Sequence, residues 1–282
     1  MKRFASAALA SALLLGGGGL AAPAASAASD LGPRGAQYVS LGDSYVAAGA
    51  LADLYGSRGN PTPSCSQAPD DVGHLVAKRL RVSFADWACS GAETVDVLKN
   101  TPKGRQLNGL SGKTRYVSVS IGGNDEMIFG GLMANCLIGA LCNTQFREAT
   151  MAKIDRLGHR LDTVYAAIRT AAPNAKVVVL PYLRVLPGDP RGCFVDGLMG
   201  RDAVAFANRA ENKLNATIIG AAKRAGFTVA DDQQAGHDMC APDGQRYVSM
   251  TGVGPKDDGV PIHPTLAGRQ YTADLIAAAF RS

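Results

Sequence analysis

The hydrophobic residues of the chain form two kinds of segment, which alternate along the sequence. Short apolar runs rich in Val, Ile and aromatic residues predict buried strands at 36–41, 82–87, 116–121, 176–180 and 227–230. Longer segments with apolar residues three and four positions apart predict helices at 70–80, 145–172, 201–225 and 264–280. Because strands and helices alternate, we predict an α/β protein with a parallel sheet covered by helices on both faces.

Residues at the ends of the predicted helices support these bounds. Asp70 and Asp71 stand at the start of the first helix, where the positive end of the helix dipole favours acids. Pro173 stops the second helix, Gly226 is the expected cap after the third, and Pro264 is the expected first residue of the last.

The first 27 residues have the composition of a secretory signal peptide. Lys2 and Arg3 give a positive start, a run of Ala, Leu, Ser and Gly follows at 4–20, and Ala25-Ser26-Ala27 has the small-x-small form of a cleavage site. We therefore predict cleavage near this site, export from the cell, and a single mature domain at 28–282. The remainder of the sequence contains no stretch that is long and apolar enough to span a membrane.

Composition excludes several classes of protein. Hydrophobic residues are 46% of the chain and charged residues 19%, which allows a sizeable core and argues against a disordered chain. The net charge of +5 is spread along the sequence, and aromatic residues are only 6%. Nucleic acid is therefore not an expected partner, because binding it requires clustered cations or stacking aromatic side chains.

Six cysteines fit an exported protein, in which an even number predicts three disulfides: Cys65, Cys89, Cys136, Cys142, Cys193 and Cys240. The spacing alone permits 15 pairings, although Cys136 and Cys142 flank a short loop and are expected to pair with each other. No two cysteines have the C-x-x-C spacing with a nearby His that a structural zinc site requires, so we predict no metal site.

Four polar motifs follow predicted strands or precede the last helix. They are Gly-Asp-Ser at 42–44, Ser-Gly at 90–91, Gly-Gly-Asn-Asp at 122–125 and the single His263. Each motif alone is typical of an ordinary turn, loop or helix cap. Since the carboxyl ends of parallel strands meet at one edge of a sheet, the four together predict a site with a nucleophile, oxyanion donors and a base.

These motifs resemble those of the SGNH hydrolases, also called the GDSL lipase/esterase family, over nearly the whole mature chain. Ser44 matches the nucleophile of the first block, Gly91 the glycine of the second, Asn124 the asparagine of the third and His263 the histidine of the last. The resemblance implies a three-layer sandwich with a central parallel sheet, which is a flavodoxin-like fold, and a reaction that needs no cofactor or metal.

The export signal and the six cysteines further resemble the secreted lipases and esterases of actinomycetes in this family. That resemblance implies that the disulfides pair in sequence order, as Cys65–Cys89, Cys136–Cys142 and Cys193–Cys240. It also implies the oxyanion donors, which are the backbone N–H groups of Ser44 and Gly91 and the side-chain amide of Asn124. Preorganised donors of this kind are each worth roughly 3–4 kcal/mol in the transition state.

One position departs from the family pattern. The family usually has an Asp three residues before its histidine, to orient the imidazole, and here that residue is Val260. Some members use the main-chain carbonyl at that position instead, so we predict that the Val260 carbonyl orients His263. Asp257 and Asp258 remain as alternatives through a different path of the loop.

The predicted function is that of a secreted, monomeric serine hydrolase that cleaves carboxylic esters, with lipid esters as the expected substrates, and touches lipid aggregates transiently. Phospholipase A1 and acetyl-sugar esterase are alternatives on the same fold, and a non-catalytic lipid- or sugar-binding module is the alternative from another class. Apolar residues after the third motif are candidates for an acyl-binding mouth, although hydrophobic core is the commoner role of such residues: Leu132, Met133, Leu137 and Ile138.

Overall fold

The computed structural model describes residues 34–51, 65–137, 139–231, 235–254 and 256–282. The predicted signal peptide and its cleavage site lie outside these residues, as does Ile138. The extent of the mature domain, 28–282, therefore stays a prediction.

The centre of the molecule is a five-stranded parallel sheet, as predicted. Its strands, each shorter than the predicted run, are β1 (Tyr38–Gly42), β2 (Phe84–Asp86), β3 (Tyr116–Ser120), β4 (Lys176–Val179) and β5 (Thr228–Val229). The strand order is β2-β1-β3-β4-β5, which is the flavodoxin-like order. The first strand therefore lies between the second and the third, and the chain segments that leave these three strands are neighbours.

Helices connect the strands and cover the sheet. They are α1 (Ser44–Ala47), α2 (Val72–Leu80), α3 (Thr94–Leu98), α4 (Ile128–Cys136), α5 (Thr144–Ala171), α6 (Phe194–Met199), α7 (Arg201–Arg224) and α8 (Leu266–Arg281). Short 3-10 helices occur at Gln106–Gly109, Asp125–Met127 and Gly139–Leu141. The four predicted helices are α2, α5, α7 and α8, and the remaining four were missed.

The missed helices lack the signal that the prediction depends on. Helices α1, α3 and α6 have only four to six residues, which is too few to show a helical period. Helix α4 has the sequence Ile-Phe-Gly-Gly-Leu-Met-Ala-Asn-Cys, which is apolar on nearly every side and so has no polar face to reveal it.

Local hydrogen bonds set the helix ends, and the predicted first residue of the last helix was wrong. Gly226 has a φ of +66° after α7, and its N–H donates to the Lys223 carbonyl, as expected for a C-terminal glycine. Pro264, however, does not begin α8. The cap is Thr265, whose hydroxyl accepts the N–H of Gly268 at 3.2 Å, an interaction that proline cannot provide.

Alternate residues of the strands face opposite helix layers, which gives the predicted three-layer sandwich. Val39 and Leu41 of β1 pack in one core with α5 and α7. Tyr38 of β1 and Val178 of β4 pack in a second core with α2 and α8. The buried residues of β1 thus belong to two cores, because side chains alternate across a strand.

Three disulfides join the cysteines in sequence order, Cys65–Cys89, Cys136–Cys142 and Cys193–Cys240, and so confirm the predicted pairing. The first lies directly before Ser90-Gly91, the second joins the end of α4 to the start of α5, and the third fixes the start of α6. None of the helices in the described ranges has the length and apolar character needed to cross a membrane.

Candidate active site

Ser44 stands where β1 turns directly into α1, and a close backbone approach makes this turn possible. Gly42 has a φ of +142°, and a Cβ at this position would lie 2.2 Å from the Ser120 carbonyl oxygen of β3. Only glycine fits such a place. Asp43 then caps α1 by accepting the N–H of Tyr45 at 3.0 Å, which leaves Ser44 as the first residue of the helix.

His263 reaches Ser44 from the loop before α8. Its Nε2 lies 2.8 Å from the Ser44 Oγ, and its Nδ1 lies 2.9 Å from the Pro261 carbonyl oxygen. If Nδ1 carries the proton and donates it to this carbonyl, Nε2 is left as the acceptor that faces the serine hydroxyl. The two side chains that the sequence separates by 219 positions are thus in hydrogen-bond contact.

The carbonyl that meets the imidazole is not the predicted one. The Val260 carbonyl accepts the backbone N–H of His263 at 2.9 Å, whereas the ring turns to Pro261, so the prediction was wrong by one residue. Ile262 has a φ of +67°, and this left-handed residue turns the chain sharply between the carbonyl of Pro261 and the ring that it contacts.

Asp257 and Asp258, the alternative partners predicted for His263, form hydrogen bonds with other groups. Asp257 accepts the N–H groups of Met250 and Thr251 and the Thr251 hydroxyl, at 2.6–2.8 Å. Although burial opposes its charge, these hydrogen bonds lower the pKa of Asp257 to about 2. Asp258 accepts the N–H of Leu266, the first residue of α8, at 2.8 Å. Both carboxylates therefore organise the loop that carries His263.

His263 is poised to accept a proton at neutral pH. Burial lowers its pKa below the ordinary value of 6.5, and the hydrogen bond to the Pro261 carbonyl opposes this shift only in part. The Tyr45 and Phe129 rings pack around the imidazole, with centroids 5.3 and 6.1 Å from its own. These apolar neighbours account for the burial.

The segments that carry Gly91 and Asn124 are tied to each other and to the Ser44 turn. The Cys89 N–H donates to the Gly42 carbonyl at 3.0 Å, and the Asn124 amide donates to the Ala92 carbonyl at 3.1 Å. Gly91 has a φ of +73°. Its carbonyl accepts a hydrogen bond from the Lys103 ammonium. All three predicted oxyanion residues thus lie on connected loops at the carboxyl ends of β1, β2 and β3.

A cavity of about 280 Å³ opens beside Ser44 and Asn124, whereas Gly91 is not among the residues that line it. Ser44, Asn124 and His263 lie at its polar end, and the rest of its wall is mainly apolar side chains from α4, α6, α7 and the loop before α8. Leu132, Met133 and Leu137 line it, so they belong to the mouth and not simply to the core. This cavity is the part of the site that sequence periodicity could not find.

Sequence reasoning also missed two tyrosines in the cavity wall. Tyr182 donates a hydrogen bond to Asp43 at 2.5 Å and accepts the N–H of Gly123 at 2.7 Å. Tyr45 donates to the Ile262 carbonyl at 2.8 Å. Tyr182 is three residues after β4 and belongs to no family motif, so nothing in the sequence alone marks it.

One group within the described ranges has side chains close enough together to hold a metal ion, namely Asp71, His74 and Asp86. It lies at the start of α2 and the end of β2, and its residues do not line the cavity. Burial raises the pKa of Asp71 to about 7 and that of Asp86 well above its ordinary value. Two neighbouring carboxyl groups with raised pKa values can lie close together without a metal ion when they share a proton.

Comparison with known proteins agrees with this geometry. Residues 40–271 match the model of the GDSL-like lipase/acylhydrolase family. The chain is 34% identical over 274 residues to Lipase 1 of Streptomyces coelicolor, covering 95% of this chain and 96% of that protein.

Two solved structures resemble the fold with a TM-score of 0.70 each. One is an extracellular lipase from Streptomyces rimosus, 30% identical, covering 86% of this chain and 98% of the other. The second is a phospholipase A1 from Streptomyces albidoflavus, 33% identical, covering 87% and 98%. These similarities favour the hydrolase over the non-catalytic binding module considered from the sequence. The chain therefore belongs to the GDSL-like lipase/acylhydrolase family and is a carboxylic ester hydrolase with the SGNH fold.

Proposed function

We propose that the protein is exported and hydrolyses lipid esters, with Ser44 as nucleophile and His263 as general base. The observation that carries this proposal is the 2.8 Å contact between the Ser44 Oγ and the His263 Nε2 at the polar end of an apolar cavity. A serine hydroxyl becomes an effective nucleophile only when an adjacent base removes its proton.

The reaction has two halves. In the first, His263 takes the Ser44 proton while the Oγ attacks the ester carbonyl, and the same proton then passes to the departing alcohol. In the second, His263 activates a water molecule that attacks the acyl-enzyme, and Ser44 regains its proton as the carboxylic acid leaves. The Pro261 carbonyl holds the imidazole by Nδ1 throughout.

Charge that develops on the carbonyl oxygen is stabilised by the proposed oxyanion donors, the N–H groups of Ser44 and Gly91 and the Asn124 amide. The hydrogen bond from Asn124 to Ala92 supports this role, because it orients the amide and leaves its second N–H available. A donor that is already oriented costs no reorganisation when the charge appears.

The apolar cavity supports an acyl chain as its ligand. Its volume of about 280 Å³ and its aliphatic and aromatic wall suit several methylene groups, each of which contributes about 0.8 kcal/mol when buried. An acetyl group would leave most of this space unfilled. The cavity therefore favours lipase or phospholipase A1 activity over acetyl-sugar esterase activity, and the Streptomyces albidoflavus relative is a phospholipase A1.

Apolar groups around the cavity mouth support transient contact with lipid aggregates. Phe194 and Leu198 of α6 line the cavity and are nonetheless 48% and 47% exposed. The stretch 127–146, which includes α4, has no charged residue. Export is supported by the leader at 1–27 and by three disulfides, which persist in oxidising compartments.

The decisive experiment labels the enzyme with a fluorophosphonate and follows hydrolysis of p-nitrophenyl acyl esters. We expect one label, on Ser44, and a loss of at least about 10⁴-fold in kcat for Ser44→Ala, because triad enzymes lose this much without the nucleophile. Ser90→Ala is the matched control. Its hydroxyl lies beside Gly91 and has no hydrogen-bond partner within the part of the chain that the structure describes, so its removal should leave activity nearly normal. A label on another serine, or an active Ser44→Ala enzyme, would reject the mechanism.

A further inference from the structure

Tyr182 is a buried tyrosine whose hydroxyl joins two loops of the site. It donates to the Asp43 carboxylate at 2.5 Å and accepts the Gly123 N–H at 2.7 Å. Asp43 directly precedes Ser44, and Gly123 directly precedes Asn124. One hydroxyl group thus links the residue before the proposed nucleophile to the residue before a proposed oxyanion donor.

The position of Tyr182 is itself fixed from outside the site. The Tyr182 N–H donates to the Asn215 side-chain oxygen at 2.9 Å, and the Asn215 amide donates to the Tyr182 carbonyl at 2.9 Å. Asn215 belongs to α7, a helix of 24 residues that packs on the sheet. The loop that carries the hydroxyl is therefore anchored to a long helix on both sides of the Tyr182 backbone.

The Tyr182 hydroxyl fits closely against the backbone of Gly123. A Cβ added to Gly123 would lie 2.9 Å from the Tyr182 oxygen, so this close approach depends on glycine. Burial raises the pKa of Asp43 to about 7, and the Tyr182 hydrogen bond works in the opposite direction by favouring the charged form.

Tyr45 extends the same connection to the loop of the proposed base. Its ring packs edge-on against Tyr182, with centroids 4.9 Å apart, and its hydroxyl donates to the Ile262 carbonyl at 2.8 Å. Ile262 has a φ of +67°, a conformation that is costly for a β-branched residue and persists only where its surroundings hold it.

We propose that Tyr182 is a positioning residue, which sets the Ser44 turn and the Asn124 loop at their working separation, and that Tyr45 does the same for the His263 loop. Neither tyrosine supplies a proton or a charge to the reaction. The proposal rests on the roles proposed above for Ser44, Asn124 and His263. A displacement of about 1 Å between such groups can lower the rate about a hundredfold.

The test compares Tyr182→Phe with Tyr165→Phe. Tyr165 is also fully buried, but its hydroxyl has no hydrogen-bond partner among the described residues, so the control removes the same atom without breaking a bond. We expect Tyr182→Phe to lower kcat by about 30- to 100-fold, with KM within about twofold because the apolar cavity is intact. Fluorophosphonate titration counts the folded sites, so that kcat is given per competent enzyme.

Two further variants act on the same connection. Gly123→Ala places a methyl group against the Tyr182 hydroxyl and should lower kcat in the same way. This variant tests the proposal even if Tyr182→Phe folds poorly. Tyr45→Phe should lower kcat at unchanged KM as well. Adding Asp43→Asn to Tyr182→Phe should cost less than the two single losses combined, because both act on one hydrogen bond.

The outcomes separate this inference from the function it rests on. If Ser44→Ala is inactive while Tyr182→Phe, Gly123→Ala and Tyr45→Phe all match the Tyr165→Phe control, the positioning role is wrong and the hydrolase mechanism stands. If Ser44→Ala stays active, the mechanism itself is wrong. A change confined to KM would also reject the positioning role, because it would place the tyrosines in substrate binding alone.

Discussion

The two halves of the site are built by different kinds of interaction. At the strand ends, the polar groups are held by directional bonds, such as His263 to Ser44, Tyr182 to Asp43 and Asn124 to the Ala92 carbonyl. The cavity wall from α4 and α6 is instead made of apolar side chains, several of them half-exposed. Chemistry requires atoms at fixed distances, whereas an acyl chain requires only apolar volume of the right length.

This difference predicts two kinds of response to substitution. Changes at the strand ends should lower kcat, since the groups there are the ones that we propose to act in the transition state. Changes in the wall should alter which acyl chain is preferred, since the wall contacts the part of the substrate that does not react. The following experiments test this separation, beginning with the largest expected effect.

Asn124→Ala should lower kcat by about 10²–10³-fold, because one oxyanion donor is lost. KM should change little. The measurement is steady-state hydrolysis of a soluble p-nitrophenyl ester. Asn135→Ala is the matched control, since this amide also donates to a main-chain carbonyl, that of Gly131, but outside the cavity wall. A loss that appears mainly in KM would mean that Asn124 belongs with the wall and not with the chemistry.

The pH profile should report His263. The imidazole must be neutral to accept the Ser44 proton, so kcat/KM should fall about tenfold per unit as pH drops below its pKa. Because burial lowers this pKa, we expect the midpoint below 6.5.

A second titrating group in the wall provides the control for this profile. Burial raises the pKa of Glu211 to about 7, and its carboxylate accepts the Val185 N–H at 3.1 Å. Glu211→Gln should keep the acid limb of the profile where it is in the native enzyme. If that variant abolished the limb, the assignment to His263 would be incorrect.

Leu132→Trp should shorten the preferred acyl chain. The larger ring displaces roughly two methylenes of substrate at about 0.8 kcal/mol each, so kcat/KM for a long-chain ester should fall about tenfold relative to a short-chain ester. Ala134→Trp, on the exposed side of the same helix, is the control and should leave this ratio unchanged. Equal losses on both esters for Leu132→Trp would show that the wall and the chemistry are not separable.

The sequence by itself predicted the layers of the fold and the residues that we propose to carry the chemistry. Short apolar runs are enough to predict the five strands, and a 3.6-residue period is enough to predict the long helices, because both patterns are properties of the chain alone. Ser44, Gly91, Asn124 and His263 could be named because each belongs to a short motif. The disulfide pairing required the family resemblance, since spacing permits 15 pairings.

The tertiary structure decided what depends on contacts between distant segments. The choice of the Pro261 carbonyl over that of Val260 follows from the left-handed turn at Ile262, which no local propensity predicts for a β-branched residue. Tyr182 reaches Asp43 across 139 positions. The cavity forms where α4, α6, α7 and the loop before α8 meet. Periodicity indicates which face of an element is buried, but it does not say which atoms meet there.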